Sequence, residues 1–138
     1  AGAGDDEIDL GFGGSNNRVD AGSGNDVIFL SNQNRALGGE GDDKFFVSGS
    51  GNTISGGAGA DQFWIVNGEI PESANTIVDF EVGIDVIGIL GSASLGIDAT
   101  TLELTEMDGN TKVAFGENTL AILNGVTGFD IGESVVFA

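Results

Sequence analysis

Four aspartates recur in one local frame. Asp6, Asp26, Asp43 and Asp61, spaced 20, 17 and 18 residues apart, lie in AGAGDDEID, AGSGNDVIF, GGEGDDKFF and GGAGADQFW. Each segment has Gly at its second and fourth positions, Asp at its sixth and an apolar residue at its eighth. Glycine lets a turn adopt φ > 0 and point its carbonyls inward, so every copy combines a carboxylate with inward-facing backbone oxygens. Oxygen-only donors suit a hard cation. One turn holds too few oxygens for such an ion, whereas two stacked turns hold enough.

Composition narrows the chemistry further. The chain has 138 residues, about one domain's worth, and contains neither His nor Cys. That excludes zinc and haem sites, thiol nucleophiles, Ser-His-Asp catalysis and disulfides. No convincing carboxylate pair lies outside the repeated turns, so the chain is expected not to be an enzyme. Asp and Glu number 22 against 4 Lys and Arg, a formal charge of −18. This excludes nucleic-acid binding, which needs clustered cations, and argues against an anionic membrane or an acidic polysaccharide. No apolar run approaches a membrane span, and no membrane insertion is expected. The opening Ala1-Gly2-Ala3-Gly4-Asp5-Asp6 reads as the middle of a motif, so the chain is expected to belong to a longer protein with an upstream domain.

The turns need elements to stack them. A weaker series, GSNNRVD, SNQNRAL and GSGNTIS, places Asn17, Asn34 and Asn52 where the strong series has Asp, and Asn75 in ESANTIVDF continues it. The half-repeat is therefore about nine residues, enough for a six-residue turn and a three-residue strand. Two half-repeats make one coil of a solenoid, with strong turns on one edge and weak turns on the other. Ile8, Ile28, Phe45 and Phe63 then face Val19, Ala36, Ile54 and Ile77 across the interior. The extra residues around Leu10-Gly11-Phe12 and the shortened Leu30–Leu37 unit are expected to keep the ladder but can bulge it. The four strong copies resemble the nonapeptide of the repeats-in-toxin (RTX) β-rolls, a calcium-binding motif. The resemblance covers residues 1–90 and implies an all-β fold, a right-handed parallel β-roll, with residues 91–138 as a C-terminal cap of antiparallel strands. The alternative is a glycine-rich solenoid whose Asp residues merely cap turns.

The resemblance also implies ligand sets. In the family, one turn gives the carbonyls of its second and fourth positions and its Asp, and the next gives those of its first and third and its own Asp. Carried over, the first set is Gly2, Gly4 and Asp6 with Ala21, Ser23 and Asp26. The second is Gly22, Gly24 and Asp26 with Gly38, Glu40 and Asp43. The third is Gly39, Gly41 and Asp43 with Gly56, Ala58 and Asp61. A fourth set would join Gly57, Gly59 and Asp61 to the Phe80 and Val82 carbonyls and Asp85, because Asp79–Ile87 resembles the DF-x-x-G-x-D-x-I segment that closes many RTX rolls. Glu81 at a Gly position and the 24-residue step from Asp61 set it apart. Three to four Ca²⁺ ions are expected on the Asp edge and none on the Asn edge, where Arg18 and Arg35 disfavour a cation and amides can form a ladder.

Beyond Gly88 the period ends. Thr101–Met107 and Thr111–Phe115 flank the turn signal Asp108-Gly109-Asn110, and Thr119–Leu123 and Ser134–Phe137 read as further strands covering the solenoid's open end. The ending Glu133-Ser134-Val135-Val136-Phe137-Ala138 resembles the export signal of bacterial type I secreted proteins. The resemblance thus implies a secreted or cell-surface module that folds on extracellular Ca²⁺, supports a larger secreted protein, and engages the type I secretion apparatus through its C-terminus. Phe29, Phe46 and Trp64, at ninth positions, should stack on an outer face. Either the C-terminal strands or a neighbouring domain cover them, or they form a strip for a neutral glycan or another surface, the basis of an alternative adhesin reading.

Overall fold

A computed structural model describes residues 1–11 and 14–138. The first expected bulge falls partly on Phe12, outside the described residues. Strands follow the half-repeats: β1 (Gly2–Ala3), β2 (Glu7–Leu10), β3 (Arg18–Ser23), β4 (Val27–Leu30), β5 (Arg35–Glu40), β6 (Lys44–Val47), β7 (Thr53–Ala58), β8 (Gln62–Asn67), β9 (Asn75–Ile77) and β10 (Val86–Leu90). A short helix α1 (Ser92–Leu95) leads to β11 (Leu102–Met107), β12 (Asn110–Phe115) and β13 (Asn118–Leu123). A second, α2 (Ile131–Ser134), leads to β14 (Val135–Phe137).

The strands alternate between two sheets, as a roll requires. One has the order β1-β3-β5-β7-β9-β13-β12-β11, the other β14-β10-β8-β6-β4-β2. Within the roll all pairing is parallel, each strand lying beside its counterpart one coil away. Side chains alternate faces along a strand, so a single register row runs through every coil. Ile28, Phe45 and Phe63 form one inward row; Val19, Ala36, Ile54 and Ile77 face them from the other sheet, all buried, with Ile8 partly so. Phe45 and Phe63 stack at 5.2 Å within this core. Because each coil is a single layer of chain, these side chains are buried only by the coils above and below.

The shortened Leu30–Leu37 unit does not bulge the ladder. Arg35, Ala36 and Leu37 pair with Arg18, Val19 and Asp20 on one side and Thr53, Ile54 and Ser55 on the other in unbroken register. The shortening is absorbed in the turn, where Gln33 adopts φ 54°. The register shifts instead where β8 meets β10, between Gly88 and Ile89, and this leaves both Ile65 and Val66 buried.

The C-terminal strands form where the turn signal places them. Asp108 and Gly109 both have positive φ, 53° and 79°, as a tight hairpin between β11 and β12 requires. They do more than cover an end: β13 joins β9 in parallel and β14 joins β10 in parallel, so each sheet of the roll is continued by a cap strand. The hydrophobic core runs on through Leu120, Ala121, Leu123 and Val126.

The weak edge is held by amides. Asn34 Oδ1 accepts from Asn17 N–H (3.0 Å), Asn52 Oδ1 from Asn34 N–H (2.7 Å) and Asn75 Oδ1 from Asn52 N–H (3.0 Å). The amide nitrogens satisfy the turn of the preceding coil: Asn52 Nδ2 donates to the Ser31 carbonyl (2.7 Å) and Asn75 Nδ2 to that of Gly49 (3.2 Å). This generates a stability prediction. Asn52 is buried, and its loss leaves the Asn34 N–H and the Ser31 carbonyl without that partner, so Asn52→Ala should cost ~2–4 kcal/mol in denaturant unfolding. Asn32, exposed, caps only Ser50 N–H, and Asn32→Ala should cost ~1 kcal/mol or less. Equal losses would mean that the ladder does not hold this edge.

Candidate metal centre

The strong edge repeats the same ladder with carboxylates. Asp6 N–H donates to Asp26 Oδ1 (2.8 Å), Asp26 N–H to Asp43 Oδ1 (2.8 Å) and Asp43 N–H to Asp61 Oδ1 (2.9 Å). One oxygen of each acceptor carboxylate is thereby fixed by the preceding coil. The other oxygen differs from its counterpart on the Asn edge, because it is an acceptor facing acceptors. Oδ2 of Asp6, Asp26, Asp43 and Asp61 is buried without a hydrogen-bond partner. Four orphaned carboxylate oxygens in one file are costly unless something positive meets them.

The surrounding backbone is built to the same end. Gly39 and Gly41 have φ 118° and 122°, and a Cβ on either would run into the carbonyl oxygen of Gly22 or Gly24 in the preceding coil. The second- and fourth-position carbonyls thus point toward the next turn, the direction expected for Gly2, Gly4, Gly22, Gly24, Gly39 and Gly41. Adjacent turns are tied at the third position, where the carbonyls of Ser23, Glu40 and Ala58 accept from Gly4, Gly24 and Gly41 N–H (2.8–2.9 Å). At the first position, a Cβ added to Gly38 would touch Asp43 Oδ2 and lie 2.6 Å from the Gly56 carbonyl oxygen. Those two oxygens, both in the third expected set, converge beside Gly38. Ala21, at the same position one coil earlier, is fully buried.

Burial sets the electrostatics. It pushes the Asp61 carboxyl up to about 7, against a backbone hydrogen bond from Asp43 that lowers it, while the charges of Asp85, Asp43 and Asp79 add to the rise. Burial likewise raises Asp43 and Asp85. Among the described residues no three carboxylates gather at one point, so an ion on this edge would need backbone carbonyls to complete its shell. Ca²⁺ fits this donor set: it accepts carbonyl oxygens readily and tolerates irregular geometry.

The fourth expected set is brought near but is built differently. Asp85 extends the ladder, accepting from Asp61 N–H (2.9 Å), yet its Oδ2 accepts from Glu81 N–H (2.8 Å) and is not orphaned. The Phe80 ring packs on Phe63 and Phe129 and Val82 is exposed, while the donors expected from these two residues are their backbone carbonyls.

Two features escape the nonapeptide frame. A second ladder runs along the fifth position in the opposite sense: Asn25 N–H donates to Asp5 Oδ1, Asp42 N–H to Asn25 Oδ1 and Ala60 N–H to Asp42 Oδ1, each at 2.8 Å. Its signal was available in the Asp or Asn that precedes the first three ladder aspartates. The other is Asp79, the first residue of the DF-x-x-G-x-D-x-I segment, whose carboxylate accepts from Ser55 Oγ and from Gly56 and Gly57 N–H (2.6–2.9 Å).

The aromatic row forms, uncovered by the C-terminal strands, which extend the sheets edgewise instead. Phe29, Phe46 and Trp64 are half-buried because they stack on one another, with centroids 5.3 and 6.2 Å apart and planes within 17°. Trp64 also lies on the backbone of Gly88, where a Cβ would strike the indole. Ring faces that a sugar would stack on are turned toward neighbouring rings.

Comparison with known proteins agrees with this geometry. Residues 13–37 and 37–64 match the RTX calcium-binding nonapeptide repeat (4 copies). The solution structure of the AlgE6R3 subunit from the Azotobacter vinelandii mannuronan C5-epimerase superposes with a TM-score of 0.55 at 24% identity, covering 98% of this chain and 79% of that one. No curated protein matches the chain in sequence. The tandem glycine turns, the parallel stacking and the match lead to one assignment: residues 13–64 carry RTX calcium-binding nonapeptide repeats, and the chain has a parallel β-roll fold.

Proposed function

We propose that this module is a calcium-dependent folding switch at the C-terminal side of a larger secreted protein, with a structural rather than a catalytic role. The observation that carries the reading is the file of four buried, partnerless Oδ2 atoms on Asp6, Asp26, Asp43 and Asp61. Ions would lie between successive turns, held by the first three residue sets, with Asp26 and Asp43 each shared by two. The Asn edge would hold none, since amide donors already occupy the turn carbonyls there. Three divalent ions would bring the formal charge from −18 to about −12.

Such a chain is self-repelling and glycine-rich without calcium, and it would stay unfolded and threadable inside a cell. Sites of about 0.1–1 mM affinity, typical of extracellular modules, would fill outside it. The export-signal resemblance at the C-terminus fits this sequence of events. In the fold, β14 is paired to β10, and the Ala138 carbonyl accepts from Ser92 N–H and Oγ (3.0 Å each), so the segment is free for a secretion apparatus only in the unfolded chain. Among the described residues no helix is long and apolar enough to cross a membrane.

Three outcomes follow from the ion file. In chelator the far-UV spectrum should be that of a largely disordered chain, becoming β-rich in several millimolar calcium but not in equal magnesium, which demands near-octahedral geometry. A spectrum indifferent to chelation would overturn the proposal. In calcium titrations, Asp43→Asn should raise the folding midpoint several-fold more than Asp6→Asn, because Asp43 serves two sets and Asp6 one; equal shifts would mean a different stacking register.

The third outcome concerns pH and has opposite signs in the two conditions. Burial holds Asp61 up to about 7 in the metal-free fold, against an ordinary value of 3.8. The metal-free fold therefore retains a proton that the unfolded chain releases. Its stability is fullest below about pH 4 and is lost as pH rises through 7. Calcium binding needs the ionised carboxylate, so the calcium midpoint should instead rise several-fold as pH falls from 7.5 to 5.5. Circular dichroism across pH, with and without chelator, checks both slopes, and parallel slopes would contradict the assignment of Asp61.

A further inference from the structure

The four orphaned oxygens stop abruptly. Asp85 is the fifth member of the ladder, buried like the others and accepting from Asp61 N–H, but its second oxygen is taken by Glu81 N–H four residues earlier in its own turn. The backbone bond that ties Gly4 to Ser23, Gly24 to Glu40 and Gly41 to Ala58 has no counterpart from Gly59. The chain instead turns through Glu81, whose carbonyl accepts from both Ile84 and Asp85 N–H.

The sheet ends at the same place by a related device. Between coils, β3, β5 and β7 pair through their glycines, Gly22 with Gly39 and Gly39 with Gly57. β9 leaves the sheet earlier: it pairs only as far as Ile54 with Ile77, followed by Val78 N–H to the Ile54 carbonyl. Gly56 and Gly57 are thus without a backbone partner on that side. The Asp79 side chain takes that place, with Oδ1 on Gly56 N–H and Oδ2 on Gly57 N–H and Ser55 Oγ. Both oxygens of Asp79 and of Asp85 thus meet a donor within the protein.

We propose that Asp79 and Asp85 together are a metal-free terminator of the ion file, which limits the module to three calcium ions. Asp85 closes the carboxylate ladder, and Asp79 stands in for the missing coil on the sheet. Each has a backbone or hydroxyl donor on both oxygens, where Asp6, Asp26, Asp43 and Asp61 leave one oxygen bare. The terminator lets the last strong turn meet the cap without a half-filled ion site. This inference rests on the calcium reading above, and its test separates the two.

Equilibrium dialysis and calorimetric titration of the intact chain with calcium should give three ions per folded molecule. Asp85→Asn and Asp79→Asn should each keep three, with a lower thermal midpoint, since an amide can accept the bonds at one oxygen position but not those at the other. Asp61→Asn, the comparison variant, should weaken one of the three ions at least tenfold. A wild-type count other than three, or an ion lost in Asp85→Asn or Asp79→Asn, would overturn the terminator while leaving calcium binding intact. Should either variant fail to fold in calcium, the wild-type count decides alone. No bound calcium at all would strike the functional reading itself and the terminator with it.

Discussion

Carboxylates stacked one strand spacing apart repel, and this roll aligns four of them with a bare oxygen each along the strong-turn edge. At ~4.8 Å and an effective dielectric near 20, each neighbouring pair costs ~3–4 kcal/mol when ionised. The parallel ladder makes that spacing unavoidable, because register places Asp26, Asp43 and Asp61 directly beneath one another. The features of the strong edge answer this repulsion: glycines that turn carbonyls toward the next coil, backbone N–H groups that hold the Oδ1 atoms, and a local geometry that brings the Gly56 carbonyl and Asp43 Oδ2 together. A divalent ion between turns converts the repulsion into cohesion.

The opposite edge meets the same geometric demand by another chemistry. Asn and Asp are nearly isosteric, and the Oδ1-to-backbone ladder is common to both. Only the second atom differs. An amide nitrogen donates to the turn carbonyls and closes the edge under any ionic condition, whereas a carboxylate oxygen has no donor to meet. One edge is closed by its own amide donors, and on the proposed reading the other would be closed only by a bound cation.

Packing within the roll follows from identical rows. Residues in register stack like on like, which suits aromatic rings and apolar side chains and penalises charge. Phe45 over Phe63 inside, and Phe29, Phe46 and Trp64 outside, gain from the same coil spacing that strains the aspartates. The outer row ends where Trp64 meets Gly88. The cap then continues both sheets through β13 and β14, so the last coil is not left as an open edge.

Periodicity alone determined much of this protein. The nine-residue alternation of Asp and Asn turns specified a two-sheet roll, its inward rows and the sidedness of the charge, because each is set by local backbone preference repeated in a fixed frame, and the separate Asp108-Gly109-Asn110 signal specified the turn of the cap hairpin. Tertiary structure decided what depends on partners distant in the chain. The shortened unit keeps its register because the turn at Gln33 takes up the difference. The aromatic row is closed by its own stacking and by a glycine some 24 residues beyond Trp64, not by the cap. Asp85 and Asp26 look alike in sequence, yet only Asp26 has a bare oxygen. Which hydrogen-bond donors reach a carboxylate is settled by where the folded chain turns, and no spacing of residue types encodes that.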